Sequence, residues 1–173
     1  LPYSLGNPRW LPDGARLVVS TSVIPELAPG KLEDADLAAM KKEIKRRKDS
    51  KMTAKVTEDR QYRCFDQWLT DNLAHRLLVV DVAAKTFRDL TPGYRELFQT
   101  SGTVDYSVAP DGSALVLTAN SIPRPYTAGL NNDLFLVPTD GSGALKNLTA
   151  DNPGGDSDPV FAPDGRSVYY ARL

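Results

Sequence analysis

Short runs of β-branched, leucine and aromatic residues recur along the chain, each bounded by polar turn residues, and they predict strands rather than helices. Three segments match one another: Trp10–Ser20, Val108–Thr118 and Phe161–Ala171 all place Pro-Asp-Gly ahead of a strand. Each reads as a hairpin. Proline fixes the φ of a turn position, Asp can accept from nearby amides, and Gly accepts the positive φ that closes the turn. A second unit, Leu77–Thr91, answers Leu134–Thr149, both reading strand, polar turn, strand and ending in Leu-Thr. The turn prolines Pro12, Pro110 and Pro163 stand 98 and 53 positions apart. That gives a period of about 50 and four short strands per period, as in a β-propeller blade.

The expected fold is therefore all-β: antiparallel four-stranded blades, about two and a half of them, filling residues 1–173 as a partial propeller. One blade is expected over 8–91, one over 103–149 and a half blade over 157–173. A closed propeller needs about four to eight blades, so the chain is expected to be a piece of something longer. The first blade is interrupted by an insertion at about 31–60. There Leu37, Met40 and Ile44 fall at helical spacing, with Glu33, Asp34 and Asp36 before them and Lys45–Lys48 after, which suits the helix macrodipole. A helix is expected over about 33–48.

Charge and composition narrow the chemistry. The 21 Lys+Arg and 22 Asp+Glu leave a formal charge of −1, and 41% of residues are apolar, as in a folded domain. Phosphate-neutralising nucleic-acid binding is not expected. Ten of the 21 basic residues lie in 31–60, but acidic residues interleave them and no aromatic stacking platform accompanies them, so a solvated helix face is the plainer reading. No apolar run approaches the roughly 18 residues of a membrane span, and Leu1–Trp10 lack a signal-peptide pattern. No membrane partner is expected.

One cysteine, Cys64, and one histidine, His75, leave no set for a zinc site or an intrachain disulfide. No metal or cofactor is expected. G-x-S-x-G, the P-loop and G-x-G-x-x-G are all missing from the sequence. His75 leads directly into a strand and is expected to be a strand-end residue rather than a base. Asp13, Asp111 and Asp164 belong to turns that account for them without calcium. Cys64 is expected to be a small buried apolar group.

The Pro-Asp-Gly hairpins, the pair of strands ending in Arg88-Asp-Leu-Thr91, and the stretch Arg60–Leu69 (RQYRCFDQWL) resemble the β-propeller of the prolyl oligopeptidase family. Its bacterial acylaminoacyl-peptidase and dipeptidyl-peptidase branch is the nearest likeness. The resemblance implies a propeller that covers a C-terminal α/β-hydrolase domain, where a serine attacks, a histidine moves the proton and backbone amides hold the oxyanion. It implies as partners the remaining blades, that hydrolase domain and short peptide substrates. None of the family's catalytic residues maps onto this chain. The resemblance fits a periplasmic or a cytoplasmic bacterial protein equally.

The expected role of the segment is to restrict entry to short peptides and to offer charge to their ends. Arginine suits a carbonyl or carboxylate and a carboxylate suits an ammonium, which makes Arg60, Arg63 and Asp66 the candidate substrate-binding residues. The plainer reading is that Arg63 pairs with Asp66, three positions on, and that Tyr62, Phe65 and Trp68 pack the insertion down. Glu33 and Asp34 are explained by the helix start. A noncatalytic TolB-like propeller, used as a protein-binding scaffold, is the alternative function.

Overall fold

A computed structural model describes residues 5–54, 56–58, 60, 62–64, 67–68, 73–96, 104–126 and 128–173. It is mostly β, with antiparallel sheets and one helix. The first sheet runs in the order β1 (Gly6–Trp10), β2 (Arg16–Val23), β5 (Ala74–Asp81), β6 (Thr86–Asp89). The second repeats the order with β7 (Tyr106–Val108), β8 (Ala114–Asn120), β9 (Asn132–Pro138) and β10 (Lys146–Asn147). Two strands, β11 (Asp156–Phe161) and β12 (Val168–Arg172), form a third sheet, and β3 (Arg63–Cys64) with β4 (Gln67–Trp68) forms a small hairpin. Each large sheet is an up-and-down meander; no closed sheet forms among the described residues.

The shared turns work by a local mechanism. Gly14, Gly112 and Gly165 have φ of 65°, 74° and 70°, a region costly for residues with a Cβ. Beside them Asp13, Asp111 and Asp164 each accept from the amide two residues on, at 2.9 Å in all three. These bonds, to Ala15 first and to Ser113 first, hold the Asp13 and Asp111 carboxyls below their ordinary range. The shared Leu-Thr endings are equally alike. Thr91 Oγ1 accepts from the Leu77 amide at 3.1 Å, and Thr149 Oγ1 from the Leu134 amide at 3.0 Å. Leu90 and Leu148 donate their amides to the carbonyls of the same two partners.

Two cores result. One lies between the large sheets and joins Val18, Leu77 and Val79 to Tyr106, Leu115, Leu117 and Val137. The other lies on the opposite face of the first sheet, where Val19, Val23, Ala74 and Leu78 meet Ile24, Ala28, Leu32 and Met40 of the insertion. Helix α1 spans Asp34–Asp49, and Met40 is its buried residue. Asp36 accepts from the Glu33 amide at 2.9 Å at its start, and Arg46, Arg47 and Lys48 end it.

The chain between Ile24 and Leu32 is tied down by a buried pair. Arg76 donates to the carbonyls of Ala28 and Thr91, while Asp89 accepts from the amides of Leu32 (3.1 Å) and Thr91 (2.9 Å). Neither side chain is exposed, and they stand 3.8 Å apart.

Candidate functional site

Because strands alternate in direction along each sheet, the Pro-Asp-Gly turns lie at one end and the β2–β5 and β8–β9 connections at the other. The insertion is the β2–β5 connection of the first sheet; Ser121–Asn131 is its counterpart in the second. The two meet. Arg60 donates its amide to the Pro125 carbonyl at 2.8 Å, and Arg124 Nε donates to the Arg95 carbonyl at 3.3 Å. The Arg124 guanidinium stands 5.4 Å from the centroid of the buried Tyr126 ring.

Tyr94 completes the cluster by donating its hydroxyl to the Asn120 carbonyl at 2.8 Å. Burial first, and then the neighbouring Glu96 and Tyr126, push its pKa well above the ordinary tyrosine range. Glu96 Oε2 is buried and accepts no hydrogen bond from the described residues. Backbone groups of Arg60 and Arg95, the Arg124 guanidinium and the Glu96 carboxylate beside Tyr94 thus gather at one end of the sheets. This combination can hold both a peptide carbonyl or carboxylate and a peptide ammonium. Arg95, Glu96 and Arg124 were not among the residues singled out from sequence. The equivalence of the two second-to-third-strand connections points to Arg124, whereas Arg95 and Glu96 lie on the link from β6 to the second sheet and carry no such signal.

The β3–β4 hairpin corrects one expectation. Tyr62 and Trp68 do not pack the insertion down: they are 46% and 44% exposed, with ring centroids 6.0 Å apart. The Arg63 guanidinium lies 5.5 Å from the Trp68 ring. The cause is register, since Arg63 pairs directly opposite Trp68 and cross-strand partners share a face. Asp66, Phe65 and the Cys64 side chain lie outside the described residues. His75 is the second residue of β5, opposite Ser22, and burial pushes its imidazole pKa down.

A second polar feature lies where the first strands of the three sheets converge. A concavity of about 630 Å³ is lined by Asn7, Arg9, Val104, Asp105, Ser157 and Asp158. Counted back from the shared turns, Asn7, Asp105 and Asp158 hold the same position in each repeat. Asn7 Nδ2 donates to the Val104 carbonyl at 2.6 Å, and Asp105 Oδ2 accepts from the Asp158 amide at 2.8 Å. The Arg9 guanidinium sits 5.0 Å from the Tyr106 ring. Here the polar side chains mainly join one sheet to the next.

No family model matches the chain. Dipeptidyl-peptidase 5 of Porphyromonas gingivalis is 27% identical over 129 residues, which cover 71% of this chain and 19% of that protein. Dipeptidyl-peptidase 5 of Porphyromonas endodontalis is 24% identical over 183 residues, covering 100% of this chain and 24% of that protein. A probable dipeptidyl-peptidase 5 of Arthroderma benhamiae is 29% identical over 80 residues, covering 42% and 11%. The chain spans a quarter or less of the length of these relatives. Its sequence is thus similar, at low identity, to part of these dipeptidyl peptidases.

Proposed function

We propose that the chain is a substrate-gating segment of a serine peptidase of the prolyl oligopeptidase family that cleaves short peptides, of dipeptidyl or acylaminoacyl type, and that its sheets are propeller blades. The segment carries no nucleophile motif and does not itself catalyse. Further blades and an α/β-hydrolase domain supply the serine, histidine and aspartate. The observation that carries this reading is the similarity to two Porphyromonas dipeptidyl peptidases, joined to a repeat of four-stranded meanders that covers only a fraction of their length. Within it, Arg60, Arg63 and Asp66 on the returning limb of the insertion contact the peptide. Arg124 on the β8–β9 connection, with Arg95 and Glu96 on the link that follows β6, extends that polar surface.

Sheets stacked around an axis exclude folded proteins by size, while side chains on the end facing the hydrolase domain hold a peptide by its charged end. Such contacts act mainly on binding, so their loss raises KM with kcat little changed. The test uses the full-length protein, dipeptidyl chromogenic substrates and a serine-directed phosphonate. Turnover and labelling are expected, and Arg60→Ala is expected to raise KM by about tenfold, the loss of one charge-assisted hydrogen bond. Absence of both turnover and labelling would leave the noncatalytic scaffold reading in its place.

A further inference from the structure

The acids and bases of the insertion alternate in sequence, but they do not cancel in the fold. Residues 31–60 hold ten basic and seven acidic residues, while the rest of the chain holds eleven and fifteen, so positive charge is gathered in the insertion. It is densest from Lys41 to Lys51, where seven bases stand against two acids. Both acids are engaged. Glu43 pairs with Arg46 at 2.7 Å and with Arg47 at 2.9 Å, and Asp49 pairs with Lys45 at 2.5 Å. At the helix start Asp36 accepts from the Glu33 amide, and Asp34 stands about two turns before Lys41.

Helical spacing then sorts the remaining charges onto one flank. Leu37, Met40 and Ile44 pack toward the first sheet, whereas Lys41, Lys45 and Lys48, four and three positions apart, line the side next to them, with Lys42 at its outer edge. Lys41, Lys42 and Lys48 are exposed and pair with no carboxylate among the described residues. The helix is seated by its apolar side, so these charges are not what holds it. The same connection returns through Arg60 and Arg63, both exposed, at the end of the sheets where the peptide-binding residues are proposed to lie.

We propose that the flank bearing Lys41, Lys42 and Lys48 is a collecting surface for acidic peptides, which makes peptides with several Asp or Glu side chains the preferred substrate class. The proposal rests on the peptidase reading above and names the substrates of that site. A surface of one sign draws oppositely charged ligands over about 8 Å at physiological salt and raises their rate of arrival without needing a fixed contact. Its size favours a peptide. Three unpaired lysines on about two turns of helix match a few carboxylates, whereas anionic membranes and nucleic acids are held by about four to ten basic contacts.

The test uses the full-length protein and two hexapeptides that share the bond to be cleaved, one carrying glutamates and the other glutamines at the last three positions. At about 20 mM salt, kcat/KM for the glutamate peptide is expected to exceed that for the glutamine peptide about tenfold, and at about 500 mM salt the two should converge. Lys41→Gln, Lys42→Gln and Lys48→Gln together should bring the low-salt ratio to about one, while arginine at the same three positions should keep it. A low-salt ratio below about twofold, or a preference that survives high salt or the glutamine variant, overturns the proposal and leaves the peptidase reading standing. No turnover of either peptide and no phosphonate labelling would remove that reading, and this proposal with it. Binding of a DNA oligonucleotide or of phosphatidylglycerol vesicles that the glutamine variant loses, without any glutamate preference, would overturn it in favour of another partner.

Discussion

Gly112 of the second sheet's turn lies against Pro12 of the first sheet's turn: a Cβ built on Gly112 would stand 2.9 Å from Pro12 Cδ. The relation recurs one repeat later, where a Cβ on Gly165 would meet Pro110 Cδ at 3.5 Å. The turns thus serve twice, closing each hairpin and seating it on the one before. Gly14 has nearly the same φ, but a Cβ there meets nothing within 4 Å. Gly14→Ala should cost about 1 kcal/mol from backbone strain alone. Gly112→Ala adds overpacking against a rigid ring and should cost about 3 kcal/mol. Urea denaturation of both variants gives the comparison; equal losses would show that the contact with Pro12 carries no energy.

Thr91 and Thr149 make the same bond in two sheets, so they should behave alike. Thr→Val keeps the shape and leaves the buried amide of Leu77 or Leu134 without its acceptor. A cost of about 1–2 kcal/mol is expected at each site. Hydrogen exchange should accelerate at that one amide, and in the altered sheet only.

How much of this was legible in the sequence follows from the range of each interaction. Pro-Asp-Gly declares its turn because the bonds of Asp13, Asp111 and Asp164 reach only two residues. The helix declared itself through the acids before Leu37 and the bases after Ile44, and it spans Asp34–Asp49. The repeated Leu-Thr was visible as a pattern, but its meaning was not, because Thr91 and Thr149 bond 14 and 15 residues back. Aromatic residues are usually buried, which misplaces the exposed Tyr62 and Trp68; the register that sets Trp68 opposite Arg63 belongs to a two-residue hairpin that no sequence period marks. The meeting of Arg124 with Arg95, and of Arg60 with Pro125, depends on how two sheets stack, and no local pattern encodes it.

Both tryptophans are largely open to solvent, Trp10 at 57% and Trp68 at 44%. Intrinsic fluorescence should therefore change little in wavelength on unfolding, and acrylamide should quench both residues in the native state. Arg63→Ala removes the cation above the Trp68 ring at an exposed site. It should alter Trp68 emission while costing no more than about 0.5–1 kcal/mol. A blue-shifted native spectrum would place these rings in a core instead.

Glu43 shows the sign of one pH effect. Hydrogen bonds from Arg46 first and Arg47 second hold its carboxyl down at about 2, against an ordinary 4.5. A depressed acid stabilises the fold above its unfolded value, and the contribution is lost as pH falls from 4.5 toward 2. Carboxyl NMR should find the low titration, and Arg46→Gln should raise it. Helix signal should fade over the same window while the sheets hold.

Arg76 and Asp89 make the opposite case. Burial raises the Asp89 carboxyl above its ordinary value and lowers the Arg76 guanidinium, with the mutual attraction only second in each. Desolvation thus outweighs pairing, and the pair's worth lies in the carbonyls and amides it binds at Ala28, Leu32 and Thr91. Arg76→Met strands a buried carboxylate and should cost about 3–5 kcal/mol at neutral pH, with faster hydrogen exchange at Leu32. Because the folded state now favours a protonated Asp89, folding binds the extra proton, so the loss should shrink as pH falls through the raised carboxyl value. Adding Asp89→Asn should recover part of the stability at neutral pH, since Asn147 fills the matching position in the second sheet and accepts the Thr149 amide at 2.9 Å. Stability measured against pH for the single and double variants decides it: a deficit in Arg76→Met that does not narrow in acid would mean the stranded charge is not what destabilises the fold.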